Sequence, residues 1–192
     1  MKKQGNTLPL PLKAVTFAAK QHHGQMRKDD ETPYIAHPVR VMTILSEVFG
    51  VDDEEVLAAG VLHDTIEDTD CERKDLERKF GKRVASYVDE LSKDMDLDKP
   101  EREKKYASEL EDASVSVRLC KLADLYDNLS DTKALSRSKI HKTAARAERL
   151  VDIMTSDFPE EWQDAVLVVR RKIQEVKRSV GDSDTEKPQS PE

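Results

Sequence analysis

The chain has 192 residues, 37% of them charged and 5% aromatic, with 6 glycines, a formal net charge of −7 and a pI near 5.4. That length suits one domain with a substantial core, and so few turn-forming and aromatic residues weigh against a β-sandwich or barrel and for a helical fold. The acidic balance argues against nucleic acid as the main partner. No apolar run reaches membrane-spanning length, no signal peptide is evident, and the two cysteines, Cys71 and Cys120, match no metal or redox spacing.

Taken in chain order, residues 1–7 have no periodicity and are expected to be flexible. A first helix is predicted over 12–23, where Val15, Ala18, Ala19 and His22 recur at steps of three and four. The stretch TPYIAHP (32–38) reads as a loop, because Pro33 and Pro38 push their preceding residues out of helix. Pro38 suits the first turn of the next helix, which is predicted to run to a C-capping Gly50. DDEEVLAAGVLHDTIED (52–68) opens with acids suited to a helix N-terminus. Helices over 72–80 and 82–92 follow, then a charged loop entering a solvated helix (93–105). The segment 116–131 carries Leu119, Leu122, Tyr126 and Leu129 on one stripe, and amphipathic helices are predicted over 138–155 and 160–178. No stretch alternates as a strand would. The expectation is an all-α, single-domain bundle over 8–178, with a disordered acidic tail over 179–192.

The chemistry concentrates where the 52–68 helix ends. His63 and Asp64 are adjacent, about 100° apart on a regular helix, and Glu67 and Asp68 follow one turn later on the same side. Burying that many carboxylates without a cation is costly, so a metal is expected. Further ligand types stand at His22, just before Gly24, and at Asp124, which interrupts the apolar stripe with Asn128 one turn below. His22, His63, Asp64 and Asp124 would combine two imidazoles with two carboxylates and leave positions open. Without thiolates, such a set suits catalytic Mn²⁺, Fe²⁺ or Zn²⁺. The remaining candidates have simpler readings: His23 as a solvated neighbour, His37 as a buried ring holding a loop, His141 on the surface, and Asp127 and Asp131 as exposed helix acids.

Three stretches, HHGQMRKDDETPYIAHPVRVMTIL, LAAGVLHDTIEDTD and KLADLYDNLSDT, occur in an order that resembles the HD hydrolase domain of the RelA/SpoT family. The similarity extends over roughly residues 8–160 and is greatest to the stand-alone small alarmone hydrolases, which have no synthetase domain. It implies an HD-domain helical bundle holding one metal, usually Mn²⁺. It implies cleavage of the 3′-diphosphate from guanosine tetra- or pentaphosphate, giving GDP or GTP and pyrophosphate. Carried over by motif, it implies His22, His63, Asp64 and Asp124 as metal ligands and Glu67 and Asp68 as catalytic acids. Arg27 and Lys28 would face the guanine and a nearby phosphate, Asn128 the nucleotide and Thr143 the ribose. Lys121 is a further cation to offset substrate charge. The bound ion would lower the pKa of water, and Glu67 or Asp68 would move protons. The chain departs from the family in lacking a glycine shortly before Pro33, and in placing Asp127 where a histidine or aromatic residue is frequent. The expected setting is cytoplasmic, without a membrane partner. Alternatives are hydrolysis of another phosphorylated nucleotide such as NADPH, alarmone binding without catalysis, and a helical interaction domain.

Overall fold

The structure, a computed structural model, describes residues 8–181. The expectations for 1–7 and for most of the tail lie outside those residues. Helix α1 (Leu10–Gln21) carries Pro11 in its first turn, where a missing N–H costs nothing. A loop leads to α2 (Ala36–Thr43), which passes directly into a π-helical turn over Ile44–Val48 before Gly50, at φ 75°, ends the run. Helix α3 (Glu54–Leu62) is N-capped by Asp53, whose carboxylate accepts from the Glu55 N–H. A short α4 (Thr65–Asp68), α5 (Arg73–Phe80) and α6 (Lys82–Leu91) follow. Then come α7 (Lys99–Asp112), α8 (Val115–Ser130), α9 (Arg137–Met154), a 3₁₀ turn over Glu160–Trp162, and α10 (Gln163–Gly181). The all-α expectation is met: among the described residues there is no strand, only an isolated bridge between Met26 and Pro33. None of the described helices is long and apolar enough to cross a membrane.

Helix α8 is the axle of the bundle. It packs against α2, α3, α6, α9 and α10, and Val117, Leu119, Leu122, Ala123 and Leu129 are all buried. Helix α10 lays Val166, Val169, Ile173 and Val176 on α8 and α9 at helical spacing. On the other side α1 packs on α3, with Ala14 and Ala18 fully buried between them. Small side chains let helices approach closely, and the tightest approach is at Gly60. A Cβ there would lie 2.5 Å from Leu45 Cδ1. This contact presses the end of α3 onto α2 and its π-helical extension, and so brings the histidines of the two elements together.

Three boundary differences bear on the site or the chain's end. Helix α2 starts at Ala36, so His37 lies in a helical first turn rather than in a loop. Helix α3 does not continue through Asp68. It stops at Leu62, and α4 begins at Thr65. Side chains satisfy the freed carbonyls: His63 Nδ1 donates to Gly60 O at 2.8 Å and Thr65 Oγ1 to Leu62 O at 2.7 Å. Helix α10 runs on to Gly181, past the predicted limit of 178, with Val176 still buried on α8 and α9.

Candidate metal centre and substrate cleft

The break between α3 and α4 turns His63 and Asp64 inward together. His37, from the first turn of α2, faces them, and Asp124 reaches in from the middle of α8. The two imidazole Nε2 atoms are 3.2 Å apart. Asp124 Oδ1 is 3.3 Å from His37 Nε2 and 3.7 Å from His63 Nε2. Asp64 Oδ2 is 3.0 Å from His63 Nε2 and 3.5 Å from His37 Nε2. His37, His63 and Asp124 are all buried and offer ligand atoms within 4.8 Å of one another.

The far side of each ring is occupied. His63 Nδ1 meets a carbonyl, and His37 Nδ1 meets Asp127 Oδ2 at 2.7 Å. Both partners only accept, so each Nδ1 carries a hydrogen, and it is the Nε2 of the neutral ring that would offer its lone pair to the centre. This is the arrangement a metal-binding histidine requires. Asp127 is itself gripped by Arg40, whose Nε donates at 2.5 Å and Nη2 at 3.0 Å. Burial would raise the Asp127 pKa, but His37 and Arg40 outweigh it and hold the acid below the usual carboxylate range. Asp124 is fixed on both oxygens, by Lys121 Nζ at 2.6 Å and Asn128 Nδ2 at 2.5 Å.

Carboxylate charge in the centre draws protons onto both rings, protons that a bound cation would displace. Burial opposes protonation of both rings, yet the surrounding carboxylates push His37 up to about 10 and His63 up to about 9. Against the same burial, Asp64 and Asp124 are driven well below the usual range, Asp64 chiefly by His63 and Asp124 chiefly by Lys121. Two imidazoles and two ionised carboxylates without a thiolate form a donor set for a divalent first-row ion. The residues therefore fit a metal.

His22, expected among the ligands, is outside this group. Helix α1 ends at Gln21, and the His22 ring stacks beside Tyr34 with centroids 4.8 Å apart. Its Nδ1 donates to Gln25 Oε1 at 2.8 Å, and Gln25 Nε2 donates to Asp68 O at 2.8 Å. The His22-to-Gln25 spacing thus ties the first loop to the end of α4. His37 occupies the place expected of His22 and is no mere loop prop. Asp127, expected to be exposed, is 2% exposed and orients His37. Asp131, also expected as an exposed acid, binds Arg27 and Arg40.

The other expected residues line a cleft beside the centre. Tyr34 OH donates to Asp64 Oδ2 at 2.5 Å and lies 3.1 Å from Asp68 Oδ2. Burial, with the charges of Asp64 and Glu67, pushes the Asp68 pKa up. Glu67 receives Lys93 Nζ on both oxygens, at 2.9 and 3.1 Å, and the Lys93 N–H as well. Lys93 and Lys121 both sit over the buried Tyr106 ring, at 5.1 and 5.3 Å from its centroid. Arg27 is buried over Tyr34 and donates to Asp131 and Asn128. Lys28 and Thr143 complete the lining, with Arg146, Ala147 and Leu150 from α9.

A fold of this kind, with a His–Asp step between helices facing a histidine and an aspartate from two others, defines a metal-dependent hydrolase architecture. The chain belongs to the HD-domain family, whose model matches residues 14–151. Among similar proteins is a guanosine-3′,5′-bis(diphosphate) 3′-pyrophosphohydrolase, MESH1, of Xenopus tropicalis. It is 44% identical over 125 residues, covering 65% of this chain and 70% of that protein. The human protein of the same name is 44% identical over 121 residues, covering 62% and 68%. Among solved structures, a metazoan orthologue of SpoT, described as hydrolysing ppGpp and acting in starvation responses, superposes with a TM-score of 0.77. It shares 31% identity over 91% of this chain and 97% of that one.

Proposed function

We propose that the protein is a divalent-metal-dependent guanosine-3′,5′-bis(diphosphate) 3′-pyrophosphohydrolase, releasing pyrophosphate and GDP, or GTP from the pentaphosphate. The observation that carries this reading is the pair of Nε2 atoms facing Asp64 and Asp124 at the head of a cation-lined cleft. The substrate assignment is supported by the activity for which the similar proteins are named. His37, His63, Asp64 and Asp124 would hold one divalent ion; mixed nitrogen and oxygen donors suit Mn²⁺, Fe²⁺ or Zn²⁺, and the resemblance to the RelA/SpoT hydrolase domains favours Mn²⁺. When bound, such an ion supplies Lewis-acid activation of water and of a phosphoryl oxygen.

The chain's own residues do the rest. Asp68, half-buried with a raised pKa and oriented by Tyr34, is suited to carry the proton delivered to the leaving oxygen. Glu67, clamped by Lys93, orients the attacking water. Lys93 and Lys121, steadied on Tyr106, offset charge on the departing pyrophosphate. Arg27 and Lys28 take the base and a neighbouring phosphate, Asn128 holds the nucleotide beside Asp124, and Thr143 meets the ribose. Both cysteines are free and buried, which fits a reduced, cytoplasmic compartment.

A Mn²⁺-supplemented assay of guanosine tetraphosphate, GTP, NADPH and simple nucleotides side by side tests the assignment. The tetraphosphate should have the highest kcat/KM. A preference for NADPH would replace the substrate while leaving the metal chemistry intact, and no turnover of any of them would remove the enzymatic reading.

A further inference from the structure

Two cavities share a wall on α9. The catalytic cleft has a volume of about 280 Å³, and a second cavity of about 560 Å³ lies between α7 and α9. Both are lined by Arg146 and Leu150. The cleft alone is at the lower edge of the range of roughly 300–1,000 Å³ typical of small-molecule sites, although the substrate proposed above carries a purine nucleoside and two diphosphates. Its 3′-diphosphate must reach the His37–His63–Asp124 centre, so its other end has to leave the cleft.

The shared wall carries an arginine with a donor to spare. Arg146 Nη2 donates to Glu103 Oε2 at 2.7 Å. Its Nε is buried with no hydrogen-bond partner among the described residues. A buried donor without an acceptor is costly, and this one sits on a guanidinium whose geometry matches phosphate oxygens. The Arg146 side chain is 42% exposed, so it can exchange partners without unpacking the core. Lys104 and Arg149 extend the positive lining into the second cavity, where Glu103 and Glu111 are the opposing acids.

We propose that the α7–α9 cavity receives the 5′-diphosphate of the substrate and that Arg146 is the residue that selects for it, exchanging Glu103 for phosphate oxygens. This rests on the reading of the protein as an alarmone hydrolase. It predicts that a substrate's 5′-phosphates govern binding at a place separate from the reacting centre.

The test compares guanosine tetraphosphate with guanosine 3′-diphosphate, which lacks the 5′-phosphates, on the full chain loaded with Mn²⁺. The wild type should prefer the tetraphosphate by roughly 10- to 100-fold in kcat/KM, the worth of charge-assisted hydrogen bonds. Arg146→Leu should erase most of that preference through KM rather than kcat, and Arg146→Lys should keep part of it. Glu103→Gln, which removes the competing carboxylate, should lower KM for the tetraphosphate. Thermal melting of each variant separates loss of fold from loss of selectivity. Full preference retained by a folded Arg146→Leu, or a loss carried by kcat, would overturn the proposal. So would an unchanged or raised KM in Glu103→Gln. Equal cleavage of both compounds by the wild type would sink the subsite alone, while cleavage of neither would sink the functional reading beneath it.

Discussion

On one side of the cleft, α2, α3 and α8 present groups that are each held by a second partner. His37 is held by Asp127, His63 by the Gly60 carbonyl, and Asp124 by Lys121 and Asn128. On the other side, α9 presents Thr143, Arg146, Ala147 and Leu150, and its arginine leans on a single carboxylate, Glu103. The first wall is a connected buried network, which fixes one geometry. On the second, Ala147 and Leu150 are buried and Arg146 is the side chain exposed enough to change partners. On the proposed reading the fixed wall carries the chemistry and Arg146 on the other carries selection, and this contrast can be broken from the fixed side first.

The largest effect is expected at His37. His37→Ala should lose bound metal by elemental analysis and lose turnover to background, because the ring supplies one of two facing Nε2 atoms. His22→Ala should keep the metal and lose turnover only partly, through the loosened link from Gln25 to Asp68. The opposite ranking would move the centre back to the first helix.

Next come the acids of α4. Asp68→Asn and Glu67→Gln should retain metal while turnover falls by roughly 10²–10⁴-fold, the usual contribution of general acid–base groups. Loss of metal from either would make it a ligand or a support of the ion. A smaller effect is expected at Asp127→Asn, which keeps the size of the side chain but weakens its hold on the His37 ring. Metal titration should show affinity reduced by about 10- to 100-fold, with turnover recovering at saturating Mn²⁺.

The smallest effect concerns the scaffold. Gly60→Ala places a methyl against the fully buried Leu45. Overpacking costs about 1–3 kcal/mol, against about 1 kcal/mol returned by helix propensity. The melting temperature should therefore fall modestly. A rise would mean that Leu45 repacks freely and that the close approach of α3 to α2 is not what sets the histidine pair.

Helical periodicity locates most of the bundle from the sequence alone, because stripes such as Leu119, Leu122 and Leu129 reflect burial directly. His63, Asp64 and Asp124 are legible in the same way, since ionisable residues interrupting apolar helices need a reason. What stays hidden depends on where helices begin and end. Treating 32–38 as a loop conceals the fact that Ala36 starts α2 and aims His37 inward. The spacing from His22 to Gln25 is a real signal, but of a hydrogen-bonded link and not of a ligand. Asp127 has a usable signal, since it stands three residues after Asp124 on the same helix. Its role requires knowing that Arg40 and His37 arrive from α2, which is tertiary information. Arg146 carries no local signal, because its meaning comes from two cavities sharing a wall.

The proposed reaction breaks the bond between the ribose 3′ oxygen and its phosphorus: water oxygen bonds to that phosphorus, the 3′ oxygen leaves with a proton, and both phosphates come away together as pyrophosphate. Phosphorus NMR of the products formed from guanosine tetraphosphate and the Mn²⁺-loaded protein tests it most directly. GDP and intact pyrophosphate should appear in equal amounts from the earliest time points. Orthophosphate appearing first, with a guanosine trisphosphate intermediate, would contradict it.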